Sequence, residues 1–96
     1  MAAIKQPPPF VDRLKKGLVR ALKIGGIQAK VHAERVPMTK LYRLAVLSPQ
    51  FKAMKPFERQ NLVWRIADHT LSPDDQFRIS MILTLSPNEA RAVRSN

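Results

Sequence analysis

LYRLAVLSPQFKAMKPFERQNLVW, residues Leu41–Trp64, is the stretch whose reading decides the fold. Leu44, Ala45, Val46 and Leu47 form an unbroken apolar run, the pattern of a strand covered on both faces. Ser48-Pro49 stops it, because proline offers no N–H for further pairing and serine caps a helical turn. Ser48–Met54 reads as a turn or single helical turn anchored by Phe51, with Lys52 and Lys55 flanking Met54. Pro56 opens a helix where a missing N–H is harmless. That helix is expected over Phe57–Leu71. Leu62, Val63, Ile66 and Ala67 form its buried arc, Asn61, Arg65 and Asp68 line the other side, and Phe57 and Trp64 sit at the edge. A strand, a charged turn and a helix thus make a βα unit onto which the rest of the chain packs.

Upstream, Ile27–Glu34 alternates. Ile27, Ala29, Val31 and Ala33 point one way, and Gln28, Lys30, His32 and Glu34 the other, as in a half-exposed strand. The loop Arg35–Thr39, with Pro37, joins it to a second strand over Lys40–Leu47, predicted antiparallel to the first. Phe10–Ile24 repeats apolar residues at helical spacing: Val11, Leu14, Leu18, Ala21 and Leu22 share one face. Arg13, Lys16, Arg20 and Lys23 share the opposite one. Gly17 inside this helix costs about 1 kcal/mol against alanine, and Gly25-Gly26 ends it, one of them in the left-handed conformation. Residues 1–9, with Pro7-Pro8-Pro9, read as a disordered lead-in to a single domain over 10–96.

Downstream, Ser72-Pro73-Asp74-Asp75 has the composition of a turn. Gln76–Leu85 is the third predicted strand, with Phe77, Ile79, Met81, Leu83 and Leu85 inward and Arg78, Ser80, Ile82 and Thr84 on the other face. Ser86-Pro87-Asn88-Glu89 starts a last helix, with Ser86 capping and Glu89 completing a capping box. The second and third strands, joined through a helix, are predicted parallel with a right-handed crossover. The expected order is helix–strand–strand–turn–helix–strand–helix, and the expected fold is α+β: a three-stranded mixed sheet with helices packed on it.

The chain of 96 residues carries 17 Lys and Arg against 7 Asp and Glu, a net charge of +10. Residues 1–55 hold 12 of the basic and 2 of the acidic residues, Asp12 and Glu34, so the whole excess lies there. Such asymmetry points to a polyanionic partner, through phosphate neutralisation and counterion release. There are no cysteines, which excludes disulfides, thiolate metal sites and thiol catalysis within this chain. No apolar run reaches the length of a membrane span and the first residues lack a signal peptide's apolar stretch, so a soluble cytoplasmic protein is expected.

Catalysis finds little support. The acids are scattered, no serine sits in a nucleophile motif, and Gly17, Gly25 and Gly26 form neither a dinucleotide nor a phosphate loop. A non-enzymatic protein is expected. His32 and His69 lack metal-ligand spacing, so no metal site is expected. A metal shared with a second chain needs only one or two ligands from this one, and His32 is the candidate for it. The basic turn is the better lead: Lys52 and Lys55 precede a helix bearing Arg59, Asn61 and Arg65. Lysines beside helical N–H groups suit a phosphate, and arginine and asparagine read base edges. The basic face of the first helix, Arg13, Lys16, Arg20 and Lys23, would add phosphate contacts.

Val36-Pro37, the strand Tyr42–Ser48 (YRLAVLS), Phe51, Glu58-Arg59, Leu62–Trp64 (LVW) and the closing step Leu85-Ser86-Pro87 together resemble the core signature of BolA-like proteins. The resemblance covers roughly residues 10–90. It implies the αββααβα fold, similar to the second class of K-homology domains. It also implies two activities. Some members regulate by binding nucleic acid through a helix-turn-helix-like region around the main helix. Many partner a monothiol glutaredoxin and share a [2Fe–2S] cluster through a third-strand histidine and sometimes a second ligand from the loop between the first two strands. Here the third-strand histidine aligns with Arg78, and the position before the second strand's aromatic is Leu41. The loop is shortened to Met38-Thr39-Lys40, and the family's Arg-His-Arg becomes Arg59-Gln60-Asn61. Arginine in place of a ligand adds charge. The expected function is therefore nucleic-acid binding, as in DNA-binding transcription regulation, through Lys52, Lys55, Arg59, Asn61, Arg65 and Arg78. A glutaredoxin-partnering adaptor in iron–sulfur trafficking is the alternative.

Overall fold

The computed structural model describes residues 8–94. Most of the expected lead-in lies outside them. The chain runs α1 (Pro9–Ile24), β1 (Lys30–Arg35), β2 (Tyr42–Leu47), a 3₁₀ turn (Pro49–Ala53), α2 (Pro56–Thr70), α3 (Pro73–Gln76), β3 (Ile79–Leu85) and α4 (Pro87–Arg94). The strands lie in the order β1-β2-β3, with β1 antiparallel and β3 parallel to β2. This is the α+β, αββααβα arrangement that the resemblance implies, with four helices and one mixed sheet among the described residues.

Helix α1 starts on prolines because its first N–H groups need no intrahelical partner. It ends where Gly26 takes φ +83°, a conformation that side chains resist. Its Val11, Leu14, Leu18 and Leu22 are fully buried, joined by Phe10, which meets Tyr42 edge-on at 5.9 Å. They close on Leu44 and Val46 of β2 and on Val63 and Ala67 of α2, forming one core on one face of the sheet. A Cβ on Gly17 would stand 3.1 Å from Thr70 Cγ2, a tight contact at the place where α1 approaches the end of α2.

Three expectations need correction. The run Leu44–Leu47 is not covered on both faces: Leu44 and Val46 are buried, whereas Ala45 and Leu47 face a side that no long helix covers. The third strand begins at Ile79 rather than Gln76, because Ser72 caps one turn of helix, α3, by accepting from the Asp75 N–H. Its inward set is also different. Tyr42 pairs with Ile79 but Arg43 pairs with Met81, so Ser80 is an extra residue, a bulge. Past it the alternation inverts: Ile82 and Thr84 point into the core and Met81 and Leu83 point out. The strand limits tighten too, β1 beginning at Lys30 and β2 at Tyr42. No helix among the described residues is long and apolar enough to cross a membrane.

Candidate nucleic-acid interface

The turn after β2 is built by its own polar side chains. Ser48, fully buried, accepts from the Gln50 N–H at 3.2 Å, and Phe51 drops into the core with no exposed surface. Lys52 is thereby turned outward and stays exposed. Lys55 then precedes α2, its N–H donating to Glu58 Oε1 at 2.9 Å, half of a capping box. One long-range bond places this turn. The Gln28 N–H, in the connection after α1, donates to Gln50 Oε1 at 3.0 Å. It ties the Lys23 end of α1 to the turn that carries Lys52 and Lys55.

Along α1 the four basic residues are all exposed, as their spacing predicts. Lys16 pairs with Asp12 at 3.0 Å, and Arg13 makes a long contact of 3.8 Å with Asp75. Such surface pairs are worth little. Among the described residues Arg20, Lys23, Lys52 and Lys55 form no ion pair. Lys15 joins this set on the flank facing β1. With Lys16, Arg20, Lys23 and the acid Asp12 it lines a shallow groove of about 590 Å³ floored in part by Val19 and Val31. The sequence signal for Lys15 was its place beside Lys16, four residues before Val19. Asn61 and Arg65 are exposed on the outer side of α2, one turn apart. Phe57, at the start of that helix beside Lys55, keeps 62% of its surface exposed.

Two expected contact residues are placed elsewhere. Arg59 is only 5% exposed. Its Nε donates to the Met54 carbonyl at 3.2 Å, and its Nη1 donates to the Thr84 carbonyl at 3.3 Å and to Glu89 Oε1 at 2.7 Å. Its guanidinium also lies 5.7 Å from the Phe51 ring centre. It is therefore committed to holding α2, β3 and α4 together and is not available to a ligand. Arg78 sits at the other end of the sheet, just before β3, with its guanidinium 4.5 Å over the Phe10 ring. Strand β2 separates it from Lys52 by about 17 Å at 3.3 Å per residue. The neighbouring Gln60, read from sequence only as a departure, donates to the Ile82 carbonyl at 2.8 Å and accepts from Trp64 Nε1 at 3.1 Å. Trp64 is half-buried at the boundary of the core, where the helical pattern puts it.

His32 lies on the uncovered face of the sheet, while His69 is at the end of α2 on the covered side, its Nδ1 2.8 Å from the Arg65 carbonyl. The fold does not bring the two together.

Among the described residues, Glu89 is the carboxylate whose acidity the fold clearly changes. The Ser86 N–H, then Arg59 and then the Ser86 hydroxyl hold its pKa below the ordinary 4.5. A carboxylate with a depressed folded pKa stabilises the fold above its unfolded value and loses that contribution as pH falls through the folded one. Acid titration of the urea midpoint is expected to fall more steeply below about pH 4.5 in the native protein than in Glu89→Gln. Parallel curves would detach this carboxylate from stability.

Comparison with family models, with curated proteins and with solved structures gives no match to this chain.

Proposed function

We propose that this protein is a non-enzymatic, BolA-like domain that binds nucleic acid across the Lys15–Lys23 groove of α1 and the lysines of the turn before α2. The observation that carries the reading is the Gln28–Gln50 hydrogen bond. It joins the connection that follows α1, five residues past Lys23, to the turn that carries Lys52, and this supports reading the two basic segments as one surface. Their charges lie on a surface where Asp12 and Glu58 are the nearest acids along the chain, and both are engaged, with Lys16 and with the Lys55 N–H. Cations that track a backbone supply affinity through counterion release. The exposed Phe57 beside Lys55 offers a ring on which a base can stack. Asn61 and Arg65, one turn further along α2, are the groups for base or sugar edges.

The positions at which the family resemblance would put cluster ligands do not fit a [2Fe–2S] group. Leu41 has no donor atom in its side chain, and Arg78 is a permanent cation stacked on Phe10. Neither side chain can ligate iron.

Binding to labelled single- and double-stranded oligonucleotides across a salt series tests the proposal. Log affinity is expected to fall linearly with log salt. The paired changes Lys52→Ala with Lys55→Ala, and Arg20→Ala with Lys23→Ala, should each flatten the slope by about 0.7–0.9 per lost phosphate contact. Absence of binding at low salt, or binding without a salt slope, ends this reading.

A further inference from the structure

The second face of the sheet is unlike the solvent face of an ordinary small sheet. Alternation with the buried Val31, Leu44, Val46, Ile82 and Thr84 turns Lys30 and His32 of β1 outward there. From the two neighbouring strands it turns out Ala45, Leu47, Met81, Leu83 and Leu85. A sheet packed on one side normally alternates apolar-in and polar-out. Here the outward face of β2 and β3 is apolar except for Arg43 beside Met81, and the bulge at Ser80 is what sends Met81 and Leu83 outward. Met81 is 42% and Leu83 37% exposed. Helix α4 stands at the Leu85 end, where Pro87, Ala90 and Val93 make a second wall, Val93 at 57% exposure. Between this wall and the strands runs a groove of about 510 Å³. The core does not need this apolar lining, and contiguous exposed apolar surface of this kind marks an interaction site.

We propose that the groove docks an acidic amphipathic helix from a partner protein. Its charged banks are Lys30 on β1 and Arg91 on α4, whose guanidinium also donates to Asn88 Oδ1, and no aspartate or glutamate lines it among the described residues. The nearest strand acid, Glu34, is already paired with Arg43. An apolar helix face seats against Ala45, Leu83 and Val93, and carboxylates along its flanks meet the two cationic banks. A second copy of this chain is the poorer occupant, since it brings the same cations and a net charge of +10 toward another +10. Nucleic acid is poorer too, because no aromatic ring lines the groove for a base to stack on. The site is on the far side of the sheet from the basic groove of α1, so it stands or falls independently of the proposed function.

The probe is a synthetic helical peptide with leucines along one face and glutamates on both flanks, and its control carries lysines in place of the glutamates. Amide chemical-shift mapping of the full chain should move Lys30, Ala45, Leu83 and Val93 with the acidic peptide and leave α1, Lys52 and Lys55 in place. Leu83→Ser and Val93→Ser, both at exposed positions, should each weaken the acidic peptide about tenfold. Arg20→Ala with Lys23→Ala should change its affinity less than twofold, about the noise of such a comparison. Equal binding of the lysine peptide, shifts confined to α1, or no binding overturns the proposal. So do groove shifts caused by an oligonucleotide alone, or by raising the protein concentration with no peptide present.

Discussion

Phe51→Ala lowers the unfolding free energy by about 3–5 kcal/mol, the cost of removing a fully packed phenylalanine. A domain of this size has about 5–15 kcal/mol in all, so the loss takes a third or more of it. The size of the effect follows from where the ring sits. Phe51 is the only buried residue of the 3₁₀ turn, and it has no exposed surface. Its neighbours Pro49, Gln50, Lys52 and Ala53 are all exposed, so no other side chain of the turn is buried and only hydrogen bonds such as Gln28–Gln50 remain to hold it. The ring also faces the Arg59 guanidinium, an attraction of about 0.5–2 kcal/mol that alanine forfeits. Phe51→Leu keeps most of the volume and should cost about 1–2 kcal/mol. Urea unfolding at constant slope checks both, and an alanine variant within 1 kcal/mol of the native protein would show that the ring is not an anchor. Because this turn carries Lys52 and accepts from Gln28, the same substitution should also weaken oligonucleotide binding in the fraction that stays folded.

Arg59→Met is the second large effect, about 2–3 kcal/mol of stability. Methionine retains much of the buried stem but abandons the bonds to Met54, Thr84 and Glu89 together. Arg59→Lys is no rescue, since one ammonium cannot reproduce a planar fork spread over three acceptors. The double change Arg59→Met with Glu89→Gln should cost little more than Arg59→Met alone, since the carboxylate has already lost its partner. The decisive measurement is functional. A buried arginine touches no phosphate, so the salt slope of oligonucleotide binding should be unaltered in Arg59→Met, where loss of a real contact would remove about 0.7–0.9. A flattened slope would return Arg59 to the interface.

The parts of this molecule written in local chemistry could be read from its residues. The apolar face of α1, its glycine stop, Ser48 before Pro49 and the Ser86–Glu89 capping box all depend on neighbours within a few positions. Each is present, the last with the Ser86 N–H 2.7 Å from Glu89 Oε1. The phase of β3 was illegible for a different reason. Ile79, Met81, Leu83 and Leu85 alternate without a break, and nothing in the run marks Ser80 as the residue that bulges. A strand apolar on both faces offers no pattern from which to choose its inward side. Arg59 was misassigned because its partners at Thr84 and Glu89 lie 25 and 30 residues away. A charged residue on a helix is ordinarily solvated, and only the folded chain shows that this one is not. The basic surface was legible only in part: spacing gives the exposed α1 stripe, whereas no motif announces the bond between Gln28 and Gln50 that joins the connection after α1 to the turn before α2.

Glu89 Oε1 accepts from the Ser86 N–H and from Arg59 Nη1 at the same time. One oxygen atom thus fastens the opening turn of the last helix to the opening turn of the central one. Beyond that atom α4 is able to peel back with this bond intact, whereas detaching Ser86 strands a buried cation. Native-state hydrogen exchange should then give the amides of Ser86 and Arg59 a common opening energy, with Val93 exchanging sooner. The chain would come apart at this corner as a single event.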